Sequence, residues 1–275
     1  MIELPESVTL ARQLTGAIRG KRVERAVAGK SPHRFAFFAE EPEHYDMLLR
    51  GKIAGETRSY GGYVEIELEN MRLSFNDGVN LRFFAPGQPE PKKHQLYLVF
   101  DDGSALVGSV QMYGALTAFR AGTNDSPYYL AAREKVSPLE EGFDVDYFQA
   151  LLGNVDRKKS SAKAFLATEQ RIPGLGNGVL QDILWTARIH PKKKVGDFTG
   201  REIAELYMAV KNVLRDMAEK GGRDTEKDLY GKPGGYRTIL SKNNTAMVCP
   251  ECGGEIRKEA YLGGSIYYCP ICQKI

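Results

Sequence analysis

Cys249-Pro-Glu-Cys252, sixteen residues, and then Cys269-Pro-Ile-Cys272 hold the only four cysteines in a chain of 275 residues. A pair of cysteines two residues apart turns both thiolates onto one ion. Two such pairs complete a tetrahedral zinc site of the ribbon type. Pro250 and Pro270 shape the turn after each first cysteine, and Gly253-Gly254 and Gly263-Gly264 supply bends between aromatic or branched segments. The pattern predicts a two-stranded hairpin too small for a core of its own, folded by one structural Zn2+ ion. The alternative is two disulfides in a secreted domain. It is disfavoured because the other 248 residues before Cys249 lack cysteine and Met1-Ile-Glu-Leu-Pro-Glu does not read as a signal sequence. Such a hairpin serves either as a structural cap or as a nucleic-acid contact, and the preceding residues must decide between them.

Hydrophobic residues make up 42% of the chain and the formal net charge is +3. The first value is that of a globular protein. The second is compatible with an acidic partner without demanding one. No apolar run approaches membrane-spanning length, so a cytoplasmic location of the bacterial type, near the nucleoid, and no membrane partner are expected.

The hydrophobic period divides the chain. Val8, Ala11, Leu14, Ala17 and Ile18 predict a helix over Glu6 to Arg19, with residues 1–4 as a free arm ahead of it. Glu3 then lies where a helix-start carboxylate is favourable. From Arg22 to about Phe119 the period is two, most clearly in Tyr63-Val-Glu-Ile-Glu-Leu-Glu and Leu96-Tyr-Leu-Val-Phe. Asn76-Asp77-Gly78 and Pro86-Gly87 read as turns and Pro89 to His94 as a solvated loop. Alternation stops between Ala121 and Phe143, where Ser126-Pro127 and Ser137-Pro138 break the pattern and a linker is placed. Helices are expected over Asp144 to Leu152, Ser161 to Glu169 and Gly178 to Ala187. A long one opens on the capping box Thr199-Gly-Arg-Glu202 and stops at Gly221-Gly222. Residues 223–247 read as loop. The fold class is therefore α+β in three units: helix and antiparallel β-sandwich over 1–125, helices over 140–245, and zinc finger over 246–275.

Between two of those helices lies Gln170-Arg-Ile-Pro-Gly-Leu-Gly-Asn177. Gly174, Gly176 and then Asn177 at a helix start make a tight turn with exposed amides at a positive dipole end, an arrangement suited to phosphate. Lys163 before it and Lys192-Lys193-Lys194 after it are candidate phosphate contacts. A plain helix–helix connection is at least as common for such a turn taken alone.

Leu166 to Pro191, with this turn at its centre, resembles the helix–two-turn–helix of the formamidopyrimidine-DNA glycosylase / endonuclease VIII family. Glu3-Leu-Pro-Glu6 resembles that family's N-terminal signature, the four cysteines its zinc finger, and Lys93-His94 before Asp101-Asp102-Gly103 a further piece of its pattern. The resemblance runs along the whole chain in the family's order. It implies a monomer that binds damaged or abasic DNA, removes oxidised bases after turning the nucleotide out of the stack, and cleaves the abasic strand. It implies an N-terminal amine nucleophile beside an acid/base glutamate, hence Glu3, with Ile2 or Met1 supplying the amine. It also implies DNA contacts at Lys163, Gly176, Asn177, His94 and Tyr113. Several positions depart from the family's pattern. Ile2 replaces the N-terminal proline, and Gly62 replaces a lysine that Lys52 imitates only locally. Asp77 falls near a void-filling methionine, Met112-Tyr113 near an arginine–phenylalanine pair, and Gly264 at a phosphate-binding arginine. Two functions follow: a DNA glycosylase and abasic-site lyase with an altered nucleophile, or a non-catalytic binder of DNA or structured RNA using the same clamp.

Overall fold

The computed structural model describes residues 1–244 and 248–275; positions 245–247 of the expected loop and zinc finger lie outside the described residues. Helix α1 (Leu4–Ile18) opens the chain. Strands β1 (Val23–Ala28), β2 (Ala36–Phe37), β3 (Ala54–Tyr60), β4 (Tyr63–Leu68), β5 (Met71–Phe84), β6 (Leu96–Phe100) and β7 (Ala105–Arg120) follow, with short helix α2 (Tyr45–Leu49) between β2 and β3. Helices α3 (Pro127–Glu134), α4 (Val145–Gly153), α5 (Ala162–Ala167), α6 (Leu180–Thr186) and α7 (Gly200–Glu219) come next, and strands β8 (Arg257–Tyr261) and β9 (Gly264–Tyr268) close the chain.

The strands pair in the order β1-β6-β7-β5-β4-β3, with β2 set parallel on β7. Strands β5 and β7 are long enough to serve two layers. Their halves Val79–Phe84 and Ala105–Val110 lie with β6 and β1, while Met71–Asp77 and Gly114–Arg120 lie with β4 and β3. The register shift between Asp77 and Val79 bends the ladder there. Asn76-Asp77-Gly78 is therefore a bulge inside β5, not a turn, and Asp77 adopts the left-handed conformation with φ of 53°. Side chains from both layers, among them Val64, Ile66, Phe75, Leu98 and Leu106, fill one core. Each contributes roughly 1.5–3 kcal/mol by leaving water.

The helical unit has a second core, built on Phe148, Phe165, Leu180, Leu184, Leu206 and Leu214. Helix α1 belongs to both. Leu10, Leu14 and Ile18 enter the sandwich core, whereas Leu4 and Val8 enter the helical one. The first residues are thus no free arm. Ile2 is 5% exposed and its amide donates to Asp77 O at 2.6 Å, and the Leu4 amide donates to Gly174 O at 2.8 Å. The expected linker contains α3, with Pro127 in the first turn, where its missing N–H is harmless. The Thr199–Glu202 capping box forms as expected at the start of α7. The three-lysine run is tied up, with Lys192 on Glu259, Lys193 on Glu202 at 2.5 Å and Lys194 on Lys159 O at 2.7 Å.

One contact ties the two large units together. Gly174 has φ of 78°, and a Cβ there would lie 2.4 Å from the Gly61 carbonyl carbon in the β3–β4 turn. A Gly174→Ala variant combines a disfavoured backbone with a backbone clash, so a loss of about 2–4 kcal/mol is expected. Urea unfolding of the two proteins measures it. A loss below 0.5 kcal/mol, on the order of an ordinary surface change, would contradict this packing.

Candidate functional site

A cleft of about 1220 Å³ opens where the sandwich, the 170–177 turn and the β8–β9 tip converge. Ile2, Gly62, Tyr63, Asp77, Met112 and Tyr113 line it from the sandwich, and Lys163, Gly176 and Asn177 from the helical unit. Leu262, Gly263 and Gly264 line it from the hairpin, and Met1 and Glu3 lie at the junction.

Glu3 is the N-cap residue of α1 and is 3% exposed. Its Oε1 accepts from the Gly178 amide and its Oε2 from the Val179 amide, both at 2.8 Å. These amides follow the Gly-Leu-Gly-Asn turn, so the donors expected to face phosphate are engaged by a carboxylate of the same chain. Gly176 packs on that carboxyl, where a Cβ would come within 2.7 Å of it. Burial pushes the Glu3 carboxyl above its usual range. Arg223 and the two amides pull it down, and Glu6 adds to the rise.

Arg223, 2% exposed, stands behind Glu3. Its Nη1 is 3.6 Å from Glu3 Oε2, while its Nη2 and Nε donate to the two Glu6 oxygens at 2.8 and 3.0 Å. Its own amide donates to Glu6 Oε1 at 3.1 Å, and its Nη2 lies 3.5 Å from Met1 O. Glu6 in turn accepts from the Glu3 amide at 3.2 Å. Gly178 leaves room for the guanidinium, since a Cβ there would fall 1.5 Å from Nη1. The α-ammonium of Met1 contacts Glu226 Oε2 at 2.5 Å. Arg223 and Glu226 lie in the 223–247 stretch expected as loop, where no motif singles them out as site residues. The one available signal was a charged Arg-Asp-Thr-Glu run placed directly after Gly221-Gly222.

The remaining site residues divide into those that reach the cleft and those that do not. Lys163 is buried and its Nζ donates to Tyr261 O at 2.5 Å; burial pushes its pKa down. Asn177 donates to Ser265 O at 2.9 Å, and its Oδ1 is buried without a partner among the described residues. Gly264 abuts Asn177, so a side chain at that position would press on the Asn177 amide group 3.2 Å away. Met112 and Tyr113, 66% and 41% exposed, form an apolar rim. Asp77, beside Ile2 on the cleft wall, has its carboxyl pushed up by burial. His94 does not line the cleft. It is fully buried, its Nδ1 lies 3.0 Å from Pro91 O, its ring packs on Tyr97, and burial lowers its pKa. The 89–94 loop is accordingly not simply solvated: Glu90 pairs with Arg25 and Lys30. Lys52 pairs with Glu69 and stays outside the cleft lining.

At the hairpin, the four cysteine sulfurs lie within 4.8 Å of one another and can hold a metal ion. Cys249 and Cys272 Sγ are 3.9 Å apart and Cys252 and Cys269 Sγ 3.4 Å, too far for disulfides and close to the edge of about 3.8 Å that a tetrahedral zinc–thiolate site requires. Trp185 Nε1 donates to Cys249 Sγ at 3.5 Å, tying the site to α6.

A β-sandwich and a helix–two-turn–helix unit, clamped by a cysteine-held hairpin around one cleft, define a class of two-lobed clamp proteins. Residues 135–228 match the family model described as the formamidopyrimidine-DNA glycosylase H2TH domain. The formamidopyrimidine-DNA glycosylase of Streptococcus pneumoniae is 28% identical over 280 residues, covering 100% of this chain and 99% of that protein. That of Brevibacillus brevis is 26% identical over 284 residues, with the same coverage. A Lactococcus lactis Fpg structure, in complex with DNA containing an abasic site, superposes with a TM-score of 0.84 at 25% identity, over 99% of this chain and 100% of that one. The chain thus carries the H2TH domain of formamidopyrimidine-DNA glycosylase and is similar along its whole length to proteins of that name.

Trp185, the single tryptophan, reports on the metal site. A metal ion held by the four thiolates would supply the hairpin's folding energy. Expected outcomes of its removal are a changed Trp185 emission, four newly reactive thiols and a lower melting temperature. If a strong chelator leaves all three unaltered, the cysteines do not hold a structural metal.

Proposed function

We propose that this chain is a DNA-repair glycosylase that draws a damaged nucleotide into the cleft and releases its base. The observation that carries this is Glu3, a buried carboxyl fixed on two helix-start amides, with an α-amine at the same junction in the cleft. Support also comes from the solved relatives: one Lactococcus lactis Fpg complex contains abasic-site DNA and another N7-benzyl-Fapy-dG DNA.

In this reading Glu3 is the acid/base group and the N-terminal amine the nucleophile. That amine belongs to Met1, or to Ile2 where Met1 is removed. With Met1 in place, the Ile2 nitrogen is an amide committed to Asp77 O and has no nucleophilic role. The Met1 ammonium must lose a proton before it attacks, and Glu226 Oε2 stands at 2.5 Å to take it. The amine adds to the sugar C1′ as the base leaves. Glu3 delivers a proton to the ring oxygen, which opens the sugar to an imine, and elimination of the 3′ phosphate cuts the strand. Lys163, Gly176, Asn177 and Tyr113 lie along the path of the strand, the first three for phosphate and Tyr113 as an apolar wedge. Glu259, Glu202 and the Lys159 carbonyl occupy the three-lysine run, so it adds little to phosphate binding. The cysteines hold one structural Zn2+. No helix of the described residues is long and apolar enough to cross a membrane; with bacterial relatives, a monomer working in the cytoplasm is the fitting context.

Base release from a panel of oxidised and ring-opened lesions tests the activity. Borohydride trapping on an abasic duplex, with the N-terminus defined by intact mass, tests the amine. Expected are base release that falls at least about a hundredfold in Glu3→Gln, and an adduct on the terminal residue. A panel with no base released would leave a binder only. For the interface, Lys163→Ala is expected to weaken DNA binding and reduce the salt slope by about one unit. An unchanged slope would remove Lys163 from the phosphate contacts.

A further inference from the structure

The Arg223 guanidinium serves no strand pairing or surface ion pair. It lies at the centre of two carboxylates, both within 5% of full burial, at the one place where the reaction needs a carboxyl of controlled charge. Three segments distant in sequence meet there: Glu3 and Glu6 from the first turn of α1, Gly178 and Val179 from the start of α6, and Arg223 from the turn after α7. Two carboxylates this close cannot both be ionised in a buried site without a cation, because desolvation and mutual repulsion act together. Glu6 takes the fork contacts of Arg223 at 2.8 and 3.0 Å. Glu3 keeps the looser 3.6 Å approach and the two amides, which leaves it the member of the pair whose proton can move.

Resting on the reading of Glu3 as the acid/base group, we propose that Arg223 is a positioning residue of the reaction: through Glu6 and the back of Glu3 it fixes both the orientation and the ionisation of the Glu3 carboxyl. The other groups facing Glu3 are consistent with that assignment. From its own helix Glu6 raises its proton affinity; from the sandwich Tyr113 faces it; from the start of α6 two amides lower it; among the described residues Arg223 brings the positive side chain acting on it. Around Arg223 itself stand Glu226 and, from α6, Asp182. Removing the guanidinium leaves Glu3 beside Glu6 with no cation between them. Glu3 then loses a cation and faces a like charge, and both changes raise its pKa.

The test follows the Glu3 carboxyl carbon by 13C NMR in the full metal-loaded chain, with Glu3→Gln used to assign the signal, in wild type, Arg223→Lys and Arg223→Met. The Glu3 inflection is expected to move up by about 1–3 pH units in Arg223→Met and to stay near the wild-type value in Arg223→Lys. The limb of the pH profile along which Glu3 loses its proton, the fall in single-turnover base release as pH rises, should move up by the same amount, with the maximal rate reduced. If Arg223→Met does not fold, Arg223→Met with Glu6→Gln removes the paired buried charge and gives the same comparison, now against Glu6→Gln alone. A Glu3 titration unmoved by loss of the guanidinium overturns the proposal. The titration needs no turnover, so it decides the role of Arg223 even where no lesion is processed, and absence of base release would then count against the glycosylase reading alone.

Discussion

Two hydrogen bonds from the Gly178 and Val179 amides to one carboxylate, Glu3, govern the geometry of this protein. The bond pair closes the start of α6 with a side chain from the start of α1, so two helix N-termini meet head to head. Positive helix ends repel unless an anion lies between them. Glu3 is the carboxyl between them, and Arg223 offsets the charge that Glu3 and Glu6 bury there. The sandwich and the helical unit are held at this point and at the Gly61–Gly174 contact, and the cleft is the space left beside it. A carboxyl with so much structural work is poorly suited to swing. In the proposed reaction it acts where it lies, so the substrate is brought to it.

The hairpin shows the same economy from the other side. Lys163 donates to Tyr261 O, Asn177 and Gln181 both donate to Ser265 O, and Trp185 reaches Cys249. Donors from α5, α6 and the turn between them thus reach main-chain carbonyls of the hairpin, while the ion pairs Lys192–Glu259 and Arg188–Glu251 join the helical unit to it elsewhere. Gly264 lets the backbone approach Asn177 closely. The exchange is a plain one: a side chain at 264 that reached outward would separate the hairpin from Asn177, and the closeness is kept instead.

What was legible in the sequence was local. The cysteine spacing, the Thr199–Glu202 capping box and the alternation in β4 and β6 each need only a few neighbouring residues to be read. What failed was set by distant partners. Residues 1–4 read as a free arm because nothing nearby holds them; Asp77, seventy-five positions beyond Ile2, does so. Asn76-Asp77-Gly78 carries the residues of a turn, yet the same left-handed preference also suits a bulge, and a paired strand on each side selects the bulge. Pro127 read as a breaker although proline equally opens a helix. Lys192 read as a candidate phosphate contact because its partner Glu259 lies far along the chain and is brought to it only by folding.

Arg223 explains why the Glu3 half of the site was harder to read than the scaffold. A cation buried for the sake of two acids leaves no periodic trace, and its surroundings of glycine and polar residues resemble any surface loop. Its presence also changes the meaning of the departures in this chain. Ile2 fills the sandwich core beside the cleft, Gly62 admits the Ile2 carbonyl and Gly174 at close range, and Asp77 supplies the carbonyl that receives the Ile2 amide. These three substitutions sit against one another and against the N-terminus that Arg223 and Glu226 hold from behind. They form one repacked wall, not scattered losses. A chain that had merely decayed would have no reason to bury Arg223 between Glu3 and Glu6, because an unpaired buried charge costs several kcal/mol and simple replacement of all three by apolar residues would have been the more stable course.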